Sequence, residues 1–330
     1  MTKKIIAAAI VAAIAAPAAI AGNTTLYGKV HVSIDKLNSD SSGVDQWEVA
    51  DRGSRLGVKG SEDLGNGLKA IFKYETTVQV TDGGAKGGTF GSARNAYVGL
   101  AGGFGRLLAG RHDTPAKIAL YATGTELLGD SIIQLTGKGD AALLNMEETR
   151  ADNAIAYFTP SFSGVKAAVA VMPGEDAATG EDGLADSWSA GLMYSGNGLK
   201  AGFGYEEMST KWELYNVGAS YTMDNFTFGG IYQNQEAVTG GAESEMWALT
   251  GKVKFGNNEV IATYADTENN VAGEEGDGFG LAAVHKMSKR TKVYAAYASK
   301  DVDAGAGFSS VGGNSFEEGS NFSLGMIHKF

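Results

Sequence analysis

From Thr24 to Phe330 the chain repeats one beat: about ten residues of alternating apolar and polar side chains, a short Gly/Asn/Asp turn, then another such run. A period of two puts successive side chains on opposite faces, so each run reads as a strand with one apolar and one wet face. Between residues 24 and 36, Leu26, Gly28, Val30, Val32 and Ile34 share one parity; Tyr27, Lys29, His31 and Ser33 take the other. Between 67 and 80, Leu68, Ala70, Phe72 and Tyr74 oppose Lys69, Lys73 and Glu75. Further runs fall at 44–60, 89–101, 105–113, 150–160, 163–173, 186–195, 198–207, 213–223, 226–236, 244–254, 259–267, 276–287, 291–300 and 319–330. That makes sixteen, an even number, as a closed antiparallel sheet in a bacterial single-chain barrel requires.

The connections alternate in length. Those after even-numbered runs are short, such as Gly102-Gly103-Phe104, Gly196-Asn197 and Asp224-Asn225. Those after odd-numbered runs tend to be longer and more polar, at 81–88, 174–185, 237–243, 268–275 and 301–318. Short turns on one rim and long loops on the other mark a transmembrane barrel. The short-turn rim also repeats itself: Asn66-Gly-Leu-Lys-Ala70, Ser163-Gly-Val-Lys-Ala167 and Asn197-Gly-Leu-Lys-Ala201 each restart a strand.

Composition agrees. Mean hydropathy is −0.11, which a helical membrane protein would exceed and an alternating barrel would not. Residues 1–21 read as a secretory signal: basic Lys3 and Lys4, an apolar stretch from Ile5 to Ala16, then Ala19-Ile20-Ala21 as a small-x-small cleavage pattern. The domain reading is therefore 1–21 signal peptide and 22–330 barrel. Beyond the signal only Pro115, Pro160 and Pro173 remain, each at a strand end, where a missing N–H costs no ladder bond. There is no cysteine, so no disulfide framework. Net charge is −11, and −13 without Lys3 and Lys4, which disfavours nucleic acid as a partner.

The beat stops once, across 114–149. Pro115 opens this stretch, and Ile118, Leu120, Tyr121, Leu127, Leu128, Ile132, Ile133 and Leu135 make it too apolar for a disordered linker. A loop this long in an all-β chain is commonly functional. We expect it to fold into the lumen.

The sequence resembles the general-diffusion porins of Gram-negative bacteria, most closely the neisserial and β-proteobacterial type. The resemblance rests on Ser54-Arg-Leu-Gly-Val-Lys-Gly-Ser-Glu-Asp-Leu-Gly-Asn-Gly-Leu-Lys-Ala70, Arg94 to Gly105, Ala109 to Pro115, Arg150 to Pro160 and the terminal Ile327-His-Lys-Phe330. It implies a sixteen-stranded antiparallel β-barrel, a homotrimer in outer-membrane lipid and lipopolysaccharide, and a third loop folded inward as a constriction. It also implies a basic wall facing that loop: Arg55, Arg94 and Arg150, with Arg111 in the block leading into the loop. Glu126 and Asp130 are the acidic loop candidates; Asp140, Glu147 and Glu148 could instead lie at the loop's exit. Phe330, the aromatic last residue of the last strand, is expected to serve barrel closure and assembly.

Neither chemistry nor a cofactor is indicated. His31, His112, His285 and His328 fall on separate strands, with no nucleophile triad and no metal-ligand spacing. The expected function is passive diffusion of ions and small hydrophilic solutes, sorted by size and charge. The rivals are a substrate-specific channel of the same fold and a structural or adhesive barrel with a plugged lumen. For ion preference the acidic loops and the arginine wall oppose one another. With Glu126 and Asp130 near the narrowest point, the sequence leans cation-selective at moderate salt.

Overall fold

The computed structural model describes residues 23–39, 43–82, 89–136, 143–144, 146–175, 182–270, 274–302 and 318–330. The segment read as a signal, the loop acids Asp140, Asp176 and Glu181, and much of the loops at 81–88 and 301–318 lie outside the described residues.

The alternating runs fold as β1 (Thr25–Ser39), β2 (Val44–Asp51), β3 (Arg55–Gly65), β4 (Leu68–Val78), β5 (Phe90–Gly102) and β6 (Gly105–Asp113). After a short helix, α1 (Pro115–Ala122), come β7 (Arg150–Phe158), β8 (Val165–Met172), β9 (Ser187–Gly196), β10 (Leu199–Met208) and β11 (Trp212–Met223). The chain ends with β12 (Phe226–Ala237), β13 (Glu243–Phe255), β14 (Asn258–Asn269), β15 (Glu274–Lys286), β16 (Thr291–Val302) and β17 (Gly319–Lys329).

All belong to one antiparallel sheet in which neighbours in sequence are neighbours in space. The seventeen segments fill sixteen places. β2 and β3 both pair with β1, one above the other, as parts of a single spanning strand broken at Arg52-Gly53-Ser54. β1 pairs on its other edge with β17, from Lys29 opposite Lys329 to Ser39 opposite Gly319, and the barrel closes. Phe330 completes the seam. Its N–H donates to the Gly28 carbonyl at 3.1 Å, and the Gly28 N–H donates to the Phe330 carbonyl at 3.0 Å. A Cβ on Gly28 would lie 2.3 Å from the Phe330 ring, so only glycine admits that ring over the seam.

The outside of the barrel is apolar. Val30, Phe72, Val98, Leu107, Val169, Phe203, Val217, Leu249, Leu281 and Leu324 are all exposed, as lipid-facing residues must be. Aromatic pairs lie at two heights. Trp188–Tyr205, Tyr215–Tyr232 and Trp247–Tyr264 sit toward the long-loop end, and Tyr221–Phe228 toward the short turns. Two such girdles match two membrane interfaces. Among the described residues no helix is long and apolar enough to cross a membrane.

The buried core lies inside, between the loop and one side of the wall. Leu120, Leu128, Ile132, Ile133, Leu135, Leu143, Leu144 and Met146 of the loop pack against Ile231, Met246, Ala248, Ile261, Ala282 and Val284. The long loop therefore folds inward.

Candidate functional site: a charged passage beside the inward loop

The loop is laid against the wall by identifiable contacts. Thr114 caps α1, its hydroxyl accepting the Lys117 N–H at 3.3 Å, and Pro115 occupies the first turn, where its missing N–H costs nothing. The helix sits on bare glycines. A Cβ at Gly202 would come within 2.1 Å of the Ala119 carbonyl, and one at Gly204 within 2.6 Å of the Ala116 Cα. Ser189 Oγ accepts the Ala116 N–H at 3.0 Å. Farther on, Gly278 and Gly280 make room for Leu143 and Ile133. Gln233 grips Glu147 through two hydrogen bonds, accepting its N–H at 2.7 Å and donating to its carbonyl at 3.1 Å.

On the other side of the loop an open cavity of about 450 Å³ remains. It is bounded by Lys29, Arg55, Arg94, Lys117, Arg150, Lys292 and Lys329 and by the carboxyls of Asp113, Glu126, Asp130 and Glu148. Seven cations face four acids, and the acids are engaged. Asp130 pairs with Lys29 and, at 3.3 Å, with Arg55. Asp113 holds Arg150 at 2.8 Å and Lys117 at 3.3 Å, and Lys117 also meets Glu148 at 3.1 Å. Arg94 leans on Glu75 at 2.8 Å. Lys292 and Lys329 make no ion pair among the described residues.

Two loop acids differ in state. Burial alone would raise the Asp130 carboxyl, but Lys29 and Arg55 beside it hold it below the usual carboxylate range. Burial pushes Glu126 up to about 8, against backbone N–H bonds from Leu135 and Thr136 and with the Glu148 charge adding to the rise. Glu126 is thus mostly protonated at neutral pH. The Leu135 N–H reaches it at 2.9 Å, so it clasps one bend of the loop.

The break in the spanning strand has a purpose here. Gly53 is left-handed, with φ +70°, and a Cβ there would stand 2.9 Å from Asp130 Oδ1. The kink between β2 and β3 lets the loop acid reach the wall.

Of the residues expected from sequence, Arg55, Arg94, Arg150, Glu126 and Asp130 share this cavity. Arg111 does not line it. It shares the outward parity of Leu107, four residues back on β6. Its guanidinium pairs with the exposed Asp152 and donates to the Ala93 carbonyl at 2.9 Å. Sequence reasoning passed over Lys29, Lys292 and Lys329. Lys29 was visible, since it alternates with Val30 on the wet parity of β1. Lys329 was visible as well, on the parity opposite Leu324, Met326 and Phe330, whereas Lys292 stands at the very start of its strand.

The histidines do not form a reactive set. His31 Nε2 meets the Tyr294 hydroxyl at 3.0 Å, and His112 packs between Tyr97 and Phe158. His285 Nδ1 meets Asn258, and His328 Nδ1 meets Thr291. No metal-holding cluster occurs among the described residues.

A closed sixteen-place barrel with an apolar exterior and a charged internal passage defines a transmembrane diffusion channel. The family model described as Gram-negative porin matches residues 7–305, and the chain belongs to that family. It is 29% identical over 318 residues to outer membrane porin protein 32 of Delftia acidovorans, covering 89% of this chain and 88% of that one. It is 27% identical to major outer membrane protein P.IB of Neisseria lactamica, covering 84% and 88%. Among solved structures, the anion-selective porin from Comamonas acidovorans superposes with a TM-score of 0.78 at 26% identity, covering 94% of this chain and all of that one. The protein is an outer-membrane porin, a channel rather than an enzyme.

Proposed function

We propose that the passage beside the loop is the constriction of this porin and that it favours small anions. The observation that carries this reading is the excess of seven cations over four carboxyl groups around a cavity of about 450 Å³. One of those carboxyls, Glu126, is largely uncharged at neutral pH. This sign is opposite to the one the sequence favoured. The acids taken to pull cations in are spent on the wall's own cations or kept protonated. The anion-selective Comamonas porin, similar along nearly the whole chain, supports the same direction.

The cavity lining is charged, with Tyr121 the one aromatic bordering it among the described residues. That favours general diffusion over a substrate-specific channel, which would present an aromatic track. The open cavity likewise argues against a plugged structural barrel. We place Phe330 in closure and assembly, export in residues 1–21, and the working form in a homotrimer that carries three parallel passages. Lipopolysaccharide would border the long-loop rim.

Single-channel recording in planar bilayers tests the channel reading. Stepwise ohmic insertions, in multiples of three for a trimer, are the expected result. Folded protein that inserts without conductance would establish the plugged barrel instead.

A further inference from the structure

The barrel exterior is not uniformly smooth. Outside the closing seam lies a depression of about 920 Å³, bounded by residues of β1, β14, β15, β16 and β17. Its floor is made by two alanines directly opposite each other, Ala283 on β15 and Ala295 on β16. Larger neighbours wall it: Leu324 and Ile34 on the same rung, Met326 one rung nearer the short turns. Phe255 at the end of β13 and Val260 on β14 border it on the far side. His285, held by Asn258 at 2.8 Å, marks its lower edge.

Directly below that edge is the turn Lys286-Met-Ser-Lys-Arg-Thr291, in which Ser288, Lys289 and Arg290 are exposed. Its shape is fixed: Ser288 Oγ accepts the N–H groups of Arg290 and Thr291 at 3.1 and 3.0 Å. The other short turns carry acids, such as Glu62, Asp63 and Asp224, or no charge, as at Gly102-Gly103-Phe104 and Gly256-Asn257. The one basic short turn thus lies under the apolar depression. The short-turn rim of such a barrel is periplasmic. Hydrocarbon is the medium against this face, and the headgroup layer of the periplasmic leaflet meets this rim.

We propose that the seam depression and the Lys289-Arg290 turn together form a binding site for one anionic glycerophospholipid of the periplasmic leaflet. An acyl chain lies over Ala283 and Ala295, and the phosphate sits on Lys289 and Arg290. Basic side chains beside anionic headgroups attract them at the membrane surface, and a fixed turn presents both charges together.

The test uses full-length protein in nanodiscs of equal phosphatidylglycerol and phosphatidylethanolamine, released for native mass spectrometry that counts retained lipids. Wild type should hold about one phosphatidylglycerol per chain in preference to phosphatidylethanolamine. Lys289→Glu with Arg290→Glu, both on an exposed turn, should reduce that preference by roughly ten-fold or more. Ala295→Leu, which fills the floor, should lower retention of both lipids while leaving the headgroup preference intact. An unchanged preference in the double charge reversal would overturn the site. So would an Ala295→Leu variant that retains lipid as wild type does but loses its heat-resistant oligomer, because a second copy of the chain would then occupy the depression.

Discussion

The lumen has two walls that differ in kind. From β9 to β15 many of the inward positions under the loop are small or apolar, Gly202, Gly204, Ile231, Met246, Ala248, Ile261, Gly278, Gly280 and Ala282, interspersed with hydrogen-bonding groups such as Ser189, Asn216 and Gln233. On the other side, from β1 through β7, the inward positions hold Lys29, Arg55, Lys73, Glu75, Arg94 and Arg150. Both walls share the same ladders and the same alternation. What separates them is the loop. Where it lies down, the wall gives up side chains so that backbone can approach backbone, and water is excluded. Where it does not, the wall keeps its charges and stays wet. An apolar wall facing open water would be costly, and a charged wall under the loop would need every group paired. The division of the lumen is therefore written into the inward parity of each strand, one half for anchoring and one half for passage.

Removing the difference should have the largest effect. Excision of residues 120–145 strips the loop from its wall. It should raise single-channel conductance and cost several kcal/mol of thermal stability, because Ile231, Met246 and Ile261 would lose their cover. A gentler version is Gly280→Leu, whose Cβ alone would stand 2.8 Å from Ile133. It should loosen the loop and broaden the distribution of conductances. Unchanged conductance in the excised protein would mean that the passage is set elsewhere.

Next in size is the charged wall. Neutralising Arg55, Arg94 and Arg150 together removes three of the seven cations around the cavity and leaves Glu75, Asp113 and Asp130 less compensated. A charge at contact distance is worth about 1 kcal/mol even in a water-like dielectric. The anion-to-cation permeability ratio should fall by at least about ten-fold on that scale. The same change in Arg111, which pairs with Asp152 away from the cavity, should leave the ratio where it was. This contrast separates lining arginines from the one that shares only their sequence block.

A smaller effect should come from pH. With Glu126 pushed up to about 8, its carboxyl is mostly neutral at pH 7 and loses its proton as pH rises through that value. One negative charge then enters the passage, so anion preference should decline between pH 7 and pH 9. Asp130, held below the usual range, stays ionised throughout and contributes no change. Glu126→Gln should flatten the profile. An equal decline in that variant would assign the titration to another group.

The smallest effect should come from dilution. Acids face one another across the outward side of the long-loop end, with Asp266 opposite Asp277 opposite Asp301, and Glu245 opposite Glu268 opposite Glu275. Such charge is screened over roughly 8–10 Å near physiological salt and reaches farther below it. Lowering the salt should therefore draw the reversal potential toward cations by enriching them at the mouth. A drift toward anions would mean that the mouth does not influence the passage.

The strands were readable because period-two alternation reports a local fact, which side of a sheet each residue faces. The inward loop was readable because it broke that beat while staying apolar. What could not be read depends on register or pairing. The interruption at Arg52-Gly53-Ser54 lies within one continuous alternating run, and the contacts that hold it, Arg52 with Asp35, Ser54 with His31 and Gly53 against Asp130, join residues far apart in sequence. Arg111 differs: alternation from Leu107 already puts it on the outward parity, and only its place in the block leading into the loop suggested the wall. Glu126 and Asp130 look equivalent in sequence. Their difference arises because one carboxyl lands between two wall cations, while the other is buried in the loop without a cation beside it and next to the Glu148 charge. The sign we propose follows from such pairings, whereas a count of loop acids leans the other way.

The most direct measurement is the zero-current potential of the wild-type channel across a salt gradient at pH 7 and moderate ionic strength. With seven cations around a passage whose carboxyl groups are paired or protonated, the potential should take the anion-preferring sign. A cation-preferring potential under those conditions would contradict the claim that the bare wall, rather than the loop, decides what passes.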